Sequence, residues 1–265
     1  MVRPVFLVLH YETLNKRKRM ELNGWGFDTE GNGLYLQSTK LWYISFKSAD
    51  GLRSMQVFPF KETKEESASK IYEWIDSFED GCHVIFFNGL GYDAWALWRF
   101  LGIEPKVGKG GKDYLGGKHV QFVDGYVLSM YLNPNSPKHS LEYLSGGEDN
   151  DGKIDYRQSL INAGAMKGNE PKGHEFTFFH PLVVPYCDKD VDTMFVVVKR
   201  LWKQAQSMYG VDNWIHPSFR QMQKDYWLYS AQAYTGVKFN VEKAKALIEH
   251  VEQAMAVLKA EVDPA

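Results

Sequence analysis

The stretch HVIFFNGLGYD, residues 83–93, indicates how this chain folds. It begins with an apolar run that is typical of a buried strand, and Asn88-Gly89 then marks a turn. Helical spacing of apolar residues resumes at Tyr92 and continues to Phe100. A second strand–helix unit follows at residues 119–132, so the order of strand, turn and helix occurs twice.

Strands are also predicted upstream of this stretch. Trp25–Glu30, Leu41–Lys47 and Met55–Phe60 are aromatic or β-branched runs bounded by Gly, Asn, Ser or Pro. Helices are predicted at residues 65–78 and 186–206, where apolar residues recur on one face. Three strands followed by two strand–helix units predict an α/β fold, a mixed β-sheet flanked by helices.

The remaining segments are predicted to lie outside this sheet. Residues 4–10 read as a short strand and 11–21 as a charged connector. Residues 102–118 and 145–175 are rich in glycine and charge, which predicts two long loops. Beyond residue 215 the pattern is helical, and Asn240 is predicted to cap the last helix. Because that amphipathic helix lies at the end of the chain, we expect a longer protein.

Composition excludes several classes of protein. The chain has 265 residues, 44% hydrophobic and 24% charged, which excludes a disordered chain. Its net charge of −2 excludes a polycationic surface, so nucleic acid would be bound by local patches. Cys82 and Cys187 are too few for a disulfide framework, which predicts a cytoplasmic protein. The early apolar run Val5–Leu9 falls short of the roughly 20 residues of a membrane span, so no membrane partner is expected.

Two carboxylates are predicted to lie side by side on the strand at Trp25–Glu30. Asp28 and Glu30 are two residues apart, and such residues point to the same face of a strand. Adjacent carboxylates repel one another unless a cation lies between them. An exposed strand with two solvated acids is the alternative interpretation.

Further acids follow at two other places. Asp93 opens the helix after the strand at residues 83–87, at the kind of sheet edge where ligands bind, although it could equally be a helix cap. Tyr186 and Asp190 are four residues apart and share one face of a helix. Asp188 and Asp192 share another face, where we expect them to be solvated.

Together these acids predict a metal-dependent reaction at phosphorus. Hard divalent cations take oxygen ligands, and three or four carboxylates can hold two ions about 4 Å apart. The predicted set is Asp28, Glu30, Asp93 and Asp190, with the Tyr186 phenol beside the attacking water.

At these residues the sequence resembles the 3′–5′ proofreading exonuclease domain of family A DNA polymerases, especially the phage type. That domain belongs to the DEDD superfamily, tyrosine branch, and has an RNase H-like fold. Its first motif resembles Asp28-Thr29-Glu30 with Leu34, its second resembles Asn88 to Asp93, and its third resembles Tyr186-x-x-x-Asp190.

The resemblance implies a role for each matched residue. The metal ligands would be Asp28, Glu30, Asp93 and Asp190, holding two Mg²⁺ ions for which Mn²⁺ could substitute. Tyr186 would orient the attacking water. Thr29, Leu34 and Asn88 would contact the 3′-terminal nucleotide.

The resemblance also predicts the domain organisation. It implies an N-terminal extension at residues 1–21, an exonuclease domain at 22–210 and a helical segment at 211–265 that leads toward a polymerase domain. The chain departs from the family pattern at Gly125, where Thr is more usual, and no polymerase motif follows.

The predicted function is removal of deoxynucleoside monophosphates from single-stranded or frayed DNA 3′ ends. The partners would be a DNA 3′ end and a polymerase domain or subunit, in the host cytoplasm if a phage encodes the protein. One alternative is a free-standing DEDD exonuclease that acts on RNA. Another is a non-catalytic module that binds DNA or docks a separate polymerase subunit.

Overall fold

The main feature of the fold is a mixed β-sheet. The computed structural model describes residues 24–33, 37–108, 112–146, 154–209, 216–236 and 239–262. Within these residues the seven strands have the order β3-β2-β1-β4-β7-β6-β5. They are β1 (Gly24–Gly31), β2 (Leu41–Ser48), β3 (Ser54–Val57), β4 (Cys82–Phe86), β5 (Pro105–Lys106), β6 (Asp113–Leu115) and β7 (Lys118–Asp124). Strand β4 pairs in parallel with β1 and β7, whereas the other pairs are antiparallel. The predicted mixed sheet is confirmed.

Helices connect and flank the strands. They are α1 (Lys64–Asp76), α2 (Asp93–Ala96), α3 (Gly125–Leu132), α4 (Leu141–Ser145), α5 (Tyr156–Asn162), α6 (Val183–Tyr209), α7 (Pro217–Thr235) and α8 (Val241–Val262). A π-helical turn at Leu97–Leu101 continues α2, and a 3₁₀ turn forms at His174–Phe176. In the described part of the chain, no helix combines the length and the apolar character that a bilayer crossing requires.

The alternation of β1 directs its side chains toward two different helices. On one face, the rings of Trp25 and Trp74 of α1 lie 4.6 Å apart between centroids. On the other face, a Cβ at Gly26 would lie only 2.4 Å from Cε of Met194 in α6, so glycine permits the close approach of this helix. Asp28 and Glu30 continue the Gly26 face and therefore point toward α6.

Several predicted boundaries need correction. Strand β3 ends at Val57 rather than Phe60, before Pro59, which has no N–H to donate to a ladder. The predicted loop at residues 102–118 contains two short strands instead, because β5 and β6 extend the sheet there. Residues 145–175 contain α5 and the start of the 3₁₀ turn. The predicted strand at 4–10 and connector at 11–21 lie outside the described residues.

The C-terminal helices belong to two compact units, with the division after Ser230. In the first unit, the buried Gln223 of α7 accepts a hydrogen bond from the backbone N of Asp124 (2.8 Å) and donates one to the carbonyl O of Phe122 (3.1 Å). In the second unit, the side chain of Asn240 caps α8 by accepting from the backbone N of Lys243 at 2.9 Å, as predicted.

Candidate active site

The structure brings Asp28 and Glu30 together with a cysteine. Ligand atoms of Asp28, Glu30 and Cys187 all lie within 4.8 Å of one another. Oδ2 of Asp28 accepts from the thiol of Cys187 at 3.3 Å, and the cysteine is fully buried. Both acids are half-buried on the face of β1 that α6 covers. The three side chains form a compact group of potential metal ligands.

Tyr186 and Asp190 lie near this group, on helix α6. The phenol of Tyr186 donates a hydrogen bond to Asp190, as their spacing of one helical turn permits. Burial, followed by the charges of Glu30, Asp190 and Asp28, raises the pKa of Tyr186 far above its usual value. The phenol therefore stays protonated at neutral pH and remains a hydrogen-bond donor beside the acids.

Asp93 is attached to β1 by a different contact. Its Oδ1 accepts from both the backbone N (3.0 Å) and the hydroxyl (2.6 Å) of Thr29. Burial, with a contribution from the Asp124 charge, raises the pKa of Asp93 to about 7. Among the described residues, neither Asp93 nor Asp190 belongs to the three-atom group of potential ligands. Thr29, expected to contact substrate, here holds the Asp93 carboxylate against the strand that carries Asp28 and Glu30.

The turn after β4 is held by a buried carboxylate. Asn88 has a left-handed backbone with φ of 66°. Asp124 accepts from the backbone N of Asn88 and of Leu90, each at 3.0 Å. The side-chain Oδ1 of Asn88 accepts from the hydroxyl of Tyr226. The other expected nucleotide contact, Leu34, lies outside the described residues.

The prediction that Asp188 and Asp192 are solvated is wrong for Asp188. Its carboxylate accepts from the hydroxyls of Tyr43 and Ser45 and from Nε2 of Gln56. Asp192, which is half exposed, pairs with Lys47 at 2.8 Å. The pattern along α6 could not reveal these contacts because the donors lie on β2 and β3, more than 130 residues away in sequence.

Two residues near the acids were not predicted. Cys187 could have been found, because Cys187, Val191 and Met194 follow the spacing of a buried helix face. Tyr156 lies at the start of α5, within the segment 145–175 that the sequence predicts to be a loop. Its ring stacks on Tyr186 with centroids 5.1 Å apart. Burial and the charge of Glu30 raise its pKa.

A pocket of about 760 Å³ adjoins the acids. It is lined by Glu30, Gly31, Asn32, Gly33, Gln37, Tyr92 and residues 171–177. The hydroxyl of Tyr92 donates to the carbonyl O of Gly33 at 2.9 Å, which fixes the ring at the end of β1. A ligand in this pocket would have one end beside Glu30.

The donor set fits a divalent cation. The carboxylates of Asp28 and Glu30 are hard oxygen donors of the kind that Mg²⁺ takes, and their proximity is costly without a positive charge. The Cys187 sulfur is a softer donor, which Mg²⁺ does not require. Among the described residues, Asp28 and Glu30 form the pair of neighbouring carboxylates best suited to such an ion.

The fold is similar to that of solved nucleases. Brucella melitensis NrnC superposes with a TM-score of 0.52 and 13% identity, over 83% of this chain and 90% of that chain. Its complex with pGG gives a TM-score of 0.53 and 14% identity, over 84% and 91%. Its form with bound Mg²⁺ superposes with a TM-score of 0.51 and 13% identity, over 84% of this chain and 92% of that chain.

At these identities the similarity shows the fold alone. The RNase H-like fold predicted from the sequence, with a helical C-terminal region, is confirmed. The similarity shows a fold shared with these nucleases, whereas assignment to a polymerase proofreading domain stays a prediction. The sequence matches no protein-family model and no curated protein.

Proposed function

We propose that this chain is a Mg²⁺-dependent 3′–5′ exonuclease that removes deoxynucleoside 5′-monophosphates from single-stranded or frayed DNA ends. One observation carries the proposal. Asp28 and Glu30 on β1 face Tyr186 and Asp190 on α6, and the phenol among these acids is held in its protonated form. An RNase H-like sheet with this arrangement suits hydrolysis of a phosphodiester.

The residues have distinct proposed roles. Asp28, Glu30, Asp93 and Asp190 would hold Mg²⁺, which when bound neutralises the phosphate and lowers the pKa of water. Tyr186 would orient the attacking water through its hydroxyl. The water oxygen would lose a proton and form a bond to phosphorus, while the bond to the 3′ oxygen breaks and that oxygen takes up a proton. The shortened strand keeps a 3′ hydroxyl, and a 5′-monophosphate leaves.

The same site also fits a second candidate, a free-standing exonuclease that acts on RNA. The observation that favours it is the similarity to NrnC, one structure of which is bound to pGG. The carboxylates and Tyr186 would perform the same chemistry on either nucleic acid. Discrimination between them would depend on contacts to the sugar.

Association with a polymerase is a further part of the proposal. It rests on the sequence resemblance to proofreading domains, which extends to about residue 250. Co-purification with a polymerase fragment would support it and would be compatible with nuclease activity.

The test uses a 5′-labelled single-stranded DNA and an RNA of the same sequence, each incubated with Mg²⁺ or with EDTA. A ladder that shortens from the 3′ end only with Mg²⁺ is the expected result. Faster shortening of the RNA would select the second candidate. Intact oligonucleotides in every lane would contradict both nuclease proposals and favour a binding or docking module.

A further inference from the structure

The pocket beside Glu30 has the size of a binding site. Its volume of about 760 Å³ lies within the roughly 300–1,000 Å³ that is usual for small-molecule sites. One wall consists of the end of β1 with Tyr92, and the other of residues 171–177, here named the 171–177 wall. Because Glu30 lines the pocket, a molecule bound there is directly adjacent to the candidate metal ligands.

The 171–177 wall is held in place by one arginine. The guanidinium of Arg157 in α5 donates to the carbonyl oxygens of Glu170 (2.6 Å) and Pro171 (3.2 Å). It also forms an ion pair with the buried carboxylate of Glu175 at 2.9 Å. The backbone N of Gly173 donates to the same carboxylate at 2.9 Å. A wall fixed in this way loses little conformational freedom when a ligand binds.

Aromatic contacts join the wall to the candidate active site. Phe176 lies against Tyr156 and Tyr186, with ring centroids 5.4 Å and 6.2 Å away. Its carbonyl O accepts from Nε1 of Trp42 at 3.0 Å. The wall therefore packs on the phenol that is proposed to orient the water.

The charges of the wall differ from those at the Glu30 end. Lys172 and His174 line the pocket and are exposed, whereas the negative charge of Glu175 is paired with Arg157. Lysine is a common partner of phosphate. The pocket thus has an acidic end that fits a metal ion and a basic wall that fits a phosphate.

We infer that this pocket binds a phosphate of the nucleic-acid substrate through Lys172 and His174, with Arg157 positioning the wall. The inference rests on the proposed function and adds a substrate-binding site to it. The phosphate is either the 5′-terminal phosphate of a short oligonucleotide or an internal phosphate of a longer strand. These two sources share one chemistry and differ in the length of the bound strand.

The test measures three variants: Lys172→Ala, His174→Ala and the double variant that carries both substitutions. They are compared with Lys172→Arg, which keeps the positive charge at this position. Lys138→Ala, at an exposed lysine that does not line the pocket, is the matched control. The substrates are a dinucleotide with a 5′ phosphate, the same dinucleotide without it, and a 12-mer with a 5′ hydroxyl. Initial rates give KM and kcat at several salt concentrations.

We expect Lys172→Ala to raise KM about tenfold with kcat unchanged, since the variant removes a charge-assisted hydrogen bond to the phosphate that binds substrate before and during the reaction alike. The slope of log affinity against log salt should fall by about 0.7 for each phosphate that the variant no longer neutralises. Lys172→Arg should retain the wild-type slope, and Lys138→Ala should change neither KM nor slope. An effect confined to the phosphorylated dinucleotide identifies a terminal phosphate, and an effect on the 12-mer identifies an internal one.

The outcomes separate this inference from the proposed function. A wild-type protein that cleaves while KM and salt slope are the same in Lys172→Ala and His174→Ala overturns the inference alone. If the wild type cleaves nothing, calorimetric binding of the phosphorylated dinucleotide in EDTA decides. Binding that Lys172→Ala weakens supports the pocket without the nuclease, and binding that is equal in both proteins overturns it.

Discussion

Two acidic regions of this molecule have opposite surroundings. On β6, the carboxylate of Asp113 accepts hydrogen bonds from both terminal nitrogens of Arg220 (2.8 and 3.0 Å) and from the backbone N of Phe122 (2.9 Å). Beside α6, ligand atoms of Asp28 and Glu30 lie within 4.8 Å of each other and of the Cys187 thiol. The first region brings donors to an acid, whereas the second brings acids to one another.

The difference distinguishes an acid that stabilises the fold from one that is proposed to act on substrate. When a buried carboxylate binds both terminal nitrogens of an arginine, the attraction between the two side chains offsets the cost of removing the carboxylate from water. Such an acid needs no bound ligand. Clustered carboxylates repel each other, and a bound cation relieves the repulsion. Helix α6 shows both situations two residues apart, because Asp188 is held by β2 while Asp190 accepts from Tyr186.

The largest expected effect is on activity, from Asp28→Asn combined with Glu30→Gln. Loss of metal binding removes several kcal/mol of transition-state stabilisation, so kcat/KM should fall at least about 1,000-fold. Because the substitutions also remove repulsion, Tm should stay the same or rise. Nuclease assays with Mg²⁺ and thermal melts in EDTA check both. Full activity in the double variant would refute the assignment of these acids.

The acid on β6 should respond in the opposite way, because Asp113→Ala should reduce stability rather than activity. Removal of one partner from a buried ion pair leaves the Arg220 charge uncompensated, which costs about 3–5 kcal/mol of unfolding free energy. Urea denaturation measures this loss. kcat at a temperature where the variant is folded should remain near the wild-type value. Combination with Arg220→Met should recover part of the stability, and no recovery would contradict the ion-pair explanation.

Local sequence patterns predicted the parts of the site that lie on one element. The alternation of β1 was sufficient to place Asp28 and Glu30 on one face, and the helical repeat was sufficient to pair Tyr186 with Asp190. Two predicted loops instead contain strands and a short helix. They are held by the ion pairs of Arg220 with Asp113 and of Arg157 with Glu175, which form only in the folded chain and leave no local pattern in the sequence.

The contacts that sequence could not supply cross long distances along the chain. Cys187 reaches Asp28 from 159 residues away. The 171–177 wall is fixed by Arg157 from within a glycine-rich segment that carries no strong periodicity. The glycines and charged residues of this segment indicate a loop, but they do not show that it lies opposite the end of β1.

A smaller effect is expected on the pH dependence of stability, through Asp124. Burial raises its pKa from 3.8 to about 6. Folding therefore favours the protonated acid, so its contribution is fully present below about pH 4 and is lost as pH rises through 6. The shift corresponds to on the order of 3 kcal/mol.

Asp124→Asn isolates this contribution. We expect the wild type to lose unfolding free energy relative to the variant as the pH rises from 4 to 7. The difference in unfolding free energy, wild type minus variant, should therefore decrease over this range. The neighbouring Asp93 acts in the same direction, because the Asp124 charge contributes to its raised pKa. Urea titrations of both proteins across this range provide the measurement. A difference that is constant with pH would contradict the burial effect.

The smallest effect compares the two aspartates of α6. Asp188→Ala leaves the buried hydroxyl of Tyr43 without its acceptor, which should cost about 1–3 kcal/mol of unfolding free energy. Tyr43→Phe removes the donor as well, so the two substitutions together should cost less than the sum of the single ones, with a coupling of about 1 kcal/mol. Asp188→Ala should keep kcat, whereas Asp190→Ala should lose activity. Equal losses of activity at both positions would show that the helix, rather than its Asp190 carboxylate, is what the site requires.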